Sequence, residues 1–82
     1  MRFRFQQLTR HGLWTSPDVF DWGLAEIMAS VRSGHVFGQP RAAVEVDTNN
    51  VIYSIDAGGL ETQESTRLFA NAQATPAVAR LA

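Results

Sequence analysis

The chain has 82 residues, 45% apolar and 18% charged, the profile of one folded globular domain over residues 1–82, with neither a second domain nor a disordered ground state expected. With no cysteine, disulfide staples, zinc–thiolate sites and thiol nucleophiles are excluded too. The net charge of −1 hides a segregation: Arg2, Arg4 and Arg10 make the first 15 residues basic, whereas Glu45, Asp47, Asp56, Glu61 and Glu64 stand against no base across residues 42–66.

Residues 2–9 open with Arg2-Phe3-Arg4-Phe5, the period-2 alternation of a strand with Phe3 and Phe5 inward. Residues 1–7 have no apolar h-region and no run reaches the roughly 18 apolar residues of a spanning helix, so a cytoplasmic, membrane-free protein is expected. Ser16-Pro17-Asp18 then combines a capping hydroxyl, a proline suited to the first helical position and a first-turn acid. That signature predicts a helix over 17–33, with Phe20, Leu24, Ile27, Met28 and Val31 as its buried stripe and Gly34 past its end. Trp22 lies outside the stripe and is either a second core residue or an interface anchor.

Gly38 and Pro40 make residues 35–41 a connector. A hairpin is expected over 42–56, turning at Asn49-Asn50, because asparagine tolerates the positive φ of a type I′ turn. The register that follows pairs Thr48 with Val51, Val46 with Tyr53 and Val44 with Ile55, all on one inward face. A four-residue loop, 47–50, would pair Val46 with Val51 instead. Thr62 is the expected cap of a second helix over 63–72 carrying Leu68, Phe69 and Ala72, and Thr75-Pro76 repeats a helix-start signal in the tail, 75–82. The order β-α-β-β-α predicts an α+β domain: a three-stranded, mainly antiparallel sheet with both helices on one face.

The residues carry no motif for chemistry. Two isolated histidines, His11 and His35, with scattered acids do not have metal-ligand spacing, and Ser16 has no nucleophile elbow around it, so neither catalytic nor metal residues are expected. Gly34, Gly38 and Gly58-Gly59 lack the phosphate-cradle pattern, and no cofactor is expected. Nucleic acid is a poor fit, because on a strand Phe3 and Phe5 point away from Arg2 and Arg4 and the second half of the chain is acidic.

By elimination, the expectation is a small non-enzymatic protein-binding module. It would be an inhibitor or accessory subunit docking on a larger complex, by analogy with small phage or mobile-element inhibitors of host machinery. The expected binding surface is the outward hairpin face and the segment after it: Glu45, Asp47, Ile52, Asp56, Leu60, Glu61 and Glu64, acids with apolar points suited to a basic partner. The alternative is a small nucleic-acid-associated regulatory protein.

Overall fold

A computed structural model describes residues 1–74; the expected tail, 75–82, lies outside the described residues. Along the chain run β1 (Arg2–Thr9), β2 (Gly12–Thr15), β3 (Phe20–Asp21), α1 (Leu24–Ser33), β4 (Arg41–Glu45), β5 (Val51–Ile55) and α2 (Gln63–Ala74). The α+β class holds, but the sheet has five strands rather than three, all pairs antiparallel, in the order β2-β1-β4-β5. The short β3 pairs with the start of β1 through Phe3 and Phe20.

The helices lie on opposite faces of this sheet, which corrects the expectation of one shared face. On the first face, Phe3, Phe5, Ala43, Tyr53 and Ile55 pack with Ile27 and Val31 of α1. On the second, Leu8, Ala42 and Val44 pack with Phe69 of α2. The polar residues of the second face are satisfied across the interface. Ser54 Oγ lies 2.8 Å from Ser65 Oγ and 3.1 Å from Thr66 Oγ1, and Gln6 and Gln73 exchange side-chain hydrogen bonds. Buried polar groups paired in this way cost little, so a face that reads as polar can still be covered.

The expected helix over 17–33 begins seven residues later. Ser16 is committed to β1: its N–H donates to Phe5 O, its Oγ accepts from Phe5 N–H at 3.0 Å, and the same hydroxyl donates to Asp18 O. The chain bends at Pro17-Asp18 and then enters β3, which brings Phe20 and Trp22 onto Phe3 and Phe5; the four rings pack with centroids 5.1–6.0 Å apart. Trp22 is therefore a half-buried core residue. Gly23 stands at the N-cap, with no side-chain cap bond. Of the expected stripe, Ile27 and Val31 are buried, Met28 is half-buried, and Leu24 is 49% exposed.

The hairpin forms, with neither of the two expected registers. Arg41 pairs with Ile55, Ala42 with Ser54 and Ala43 with Tyr53, after which a bulge at Ile52 lets Val44 meet Val51. A five-residue loop, 46–50, closes it, and only Asn49 takes positive φ, at 59°. Val46 is drawn aside because its N–H donates to Arg2 O on β1, while Asn49 N–H donates to Glu45 O. The second helix starts where expected and ends two residues later, at Ala74. Thr62 caps it, its Oγ1 accepting from Ser65 N–H at 3.1 Å.

Candidate functional site

The seven residues expected to form an acidic binding face do not share one. Glu45 ends β4 opposite Phe3 and accepts from Thr48 Oγ1 at 2.6 Å, and Asp47 pairs with Arg2 at 3.2 Å. Ile52, expected outward, is the bulge residue and packs on the α1-side core. Asp56 folds its own turn: its Oδ1 accepts from the N–H groups of Gly58 and Leu60, each at 2.9 Å. Leu60, 68% exposed, and the exposed Glu61 and Glu64 lie beyond it at the start of α2. The length of β5, about 17 Å for five residues, separates the Glu45–Asp47 corner from the Asp56–Glu64 segment.

A different surface assembles at the far end of β1. Arg10-His11 makes a two-residue turn between β1 and β2, closed by Thr9 against Gly12. Two positions before Thr9, Gln7 stands directly opposite Trp14 on β2 and directly opposite Arg41 on β4. Residues directly opposite on neighbouring strands share a face, so Trp14, Gln7 and Arg41 form a row across the sheet. The row lines an open concavity of about 460 Å³, with Thr9, His11, Gly12 and Leu13 completing it. A second concavity, of about 400 Å³, adjoins it through Thr9 and His11 and is lined also by Arg10 and Phe37.

Phe37 is 87% exposed, the most exposed large apolar side chain among the described residues. It projects from a turn that is tied down. Gln39 N–H donates to Val36 O, Gly38 N–H donates to Ala57 O, and His35 Nε2 lies 2.9 Å from the same carbonyl. Gly38 has φ +87°, a conformation that side chains rarely adopt, so the glycine sets the turn that presents Phe37.

Arg41 is the unusual charge at this end. Its guanidinium lies over the Phe5 ring, 4.5 Å from the centroid, with Gly34 against it: a Cβ added at Gly34 would stand 2.5 Å from Arg41 Cζ. Gly34 has φ −86°, which any residue adopts, so a side chain there would displace the guanidinium rather than strain the backbone. Arg41 makes one long hydrogen bond, from Nη1 to Gln7 Oε1 at 3.4 Å, and its buried Nε has no hydrogen-bond partner among the described residues. Burial pushes the guanidinium below its ordinary value, yet arginine starts so high that it stays charged at neutral pH. The ion pairs among the described residues are Met1–Asp21 and Arg2–Asp47, and no carboxylate lines either concavity.

Sequence reasoning missed Phe37, Gly34 and Arg41. Phe37 had a signal, a large aromatic beside a glycine inside a connector; the row through Gln7 had none, because it depends on strand pairing. Among the described residues, no group of three or more His, Asp or Glu could hold a metal ion, and no helix is long and apolar enough to cross a membrane. Compared with protein families, with curated proteins and with solved structures, the chain finds no match.

Proposed function

We propose that the protein is a non-enzymatic binding module that docks on a protein partner, as an inhibitor or accessory subunit of a larger assembly, through the end of the sheet that carries Phe37 and Trp14. The observation that carries this reading is Phe37: a large apolar side chain, 87% exposed, on a turn pinned by backbone hydrogen bonds. A rigid exposed aromatic loses little conformational entropy on binding and buries much area, which makes such residues interface anchors. Trp14, 46% exposed, supplies a second aromatic across the β1–β2 turn. Arg10 and Arg41, at concavities lined by no carboxylate among the described residues, favour an acidic counterpart, the opposite of the basic partner expected from residues 42–66. That expectation loses support because Glu45, Asp47 and Asp56 are already engaged within the chain.

The test is capture from a lysate of the native cell on immobilised wild type and on Phe37→Ser, with melting temperatures measured in parallel. A specific partner lost with Phe37→Ser at unchanged melting temperature supports the reading. A partner that survives Phe37→Ser and Trp14→Ser but is lost with Glu61→Arg plus Glu64→Arg returns the interface to the start of α2.

A further inference from the structure

We infer that the concavity over Gln7, Trp14 and Arg41 is a receptor for a carboxylate side chain of an acidic, apolar-flanked peptide segment. The inference rests on reading this end of the sheet as the partner surface, and names the chemistry that the surface recognises. Arg41 is held as a receptor would hold it. The guanidinium lies over the Phe5 ring with Gly34 close against it, so that a Cβ at Gly34 would have to displace it, and Gln7 touches one terminal nitrogen. A planar fork restrained in this way loses little freedom when it takes a carboxylate, and two parallel N–H···O bonds match it. Among the described residues no such anion stands here, since no carboxylate of theirs lines this concavity or the adjoining one. Trp14, two strands away on the same face, offers apolar contact beside the charge.

Phosphate chains fit less well. Two arginines, Arg10 and Arg41, serve the two concavities, and a polyanion backbone needs a more concentrated basic track.

Nuclear magnetic resonance titration of the full chain tests this, following the Arg41 Nε–H and Trp14 indole N–H signals. The probes are an acetylated, amidated hexapeptide of alternating leucine and glutamate, its leucine–glutamine counterpart, and an eight-residue oligothymidylate. The expected result is a saturable shift of both signals with the glutamate peptide and roughly tenfold weaker binding of the glutamine peptide, as charge-assisted hydrogen bonds require. Gly34→Ala, which displaces the guanidinium while keeping its charge, and Arg41→Lys, which keeps charge but loses the fork, should each weaken the glutamate peptide by a similar factor. Equal binding of the two peptides, absence of saturation, or indifference to Gly34→Ala overturns the inference, and tighter binding of the oligothymidylate replaces it with a nucleic-acid surface. Partner capture that depends on Phe37 without a saturable peptide shift overturns the carboxylate receptor alone. A saturable shift with capture indifferent to Phe37 and Trp14 overturns the proposed interface alone.

Discussion

Replacing Phe69 by leucine should lower the stability of the whole domain, although Phe69 belongs to the smaller of two cores. Phe69 is fully buried, and of the three buried residues of α2 it is the only large one, beside Ser65 and Ala72. It meets Leu8, Ala42 and Val44 on the second face of the sheet, so a smaller side chain leaves a gap that serine and alanine neighbours cannot close. A domain of 82 residues has about 4–12 kcal/mol of stability, from about 0.05–0.15 kcal/mol per residue. Phe69→Ala, at about 3–5 kcal/mol, would remove much of that and leave little to measure. Phe69→Leu keeps most of the apolar volume and should cost about 1–1.5 kcal/mol, lowering the melting temperature by about 4–12 °C at this size. Far-ultraviolet circular dichroism reads both helices, while tryptophan fluorescence reads Trp14 and Trp22 on the first face. Because Ala42, Ala43 and Val44 are consecutive on one strand and serve opposite cores, the two signals should melt together. An unchanged melting temperature, or helix signal lost well before tryptophan signal, would refute the claim that α2 is integral to one cooperative unit.

Three further outcomes separate this fold from the one the sequence suggests. Ile27→Ala should cost about 2–5 kcal/mol and Leu24→Ala under about 1 kcal/mol, because Ile27 is fully buried and Leu24 half-exposed; equal losses in urea denaturation would restore Leu24 to the core. Asn49→Gly should be neutral or stabilising by up to about 1 kcal/mol, since Asn49 alone of the loop has positive φ, while Asn50→Gly should give no gain; thermal melts of the two variants decide it. The Met1 ammonium, hydrogen-bonded to Asp21 at 2.6 Å, holds the Asp21 carboxyl below its ordinary value. A carboxyl whose folded value is depressed contributes stability above its unfolded value and loses it as the pH falls through the folded one. Asp21→Asn should therefore flatten the acid limb of the stability profile, and identical limbs for the two proteins would show that the contact does not matter.

Short-range physics made several elements legible. Alternation over Arg2–Thr9 identifies β1 because only an extended backbone puts Phe3 and Phe5 on one side, and Thr62 marks the start of α2 because its hydroxyl reaches an N–H three residues on. The hairpin between β4 and β5 was readable from its turn residues and flanking β-branched runs, though not its register. At Ser16-Pro17-Asp18 the same local grammar misleads, since a hydroxyl that can cap a helix can equally bond Phe5 across a strand pair. Its choice follows from Phe20 and Trp22 having Phe3 and Phe5 to pack against, a contact made only once the sheet exists. Gln6, Ser54 and Ser65 are polar, yet they are buried and satisfy one another or neighbouring polar groups between the sheet and α2, on the side opposite α1. The candidate site was out of reach for the same reason. Trp14, Gln7 and Arg41 are separated by 7 and 34 residues in sequence and become neighbours only through pairing on both edges of β1, so local pattern determined the strand and tertiary structure decided what stands beside it.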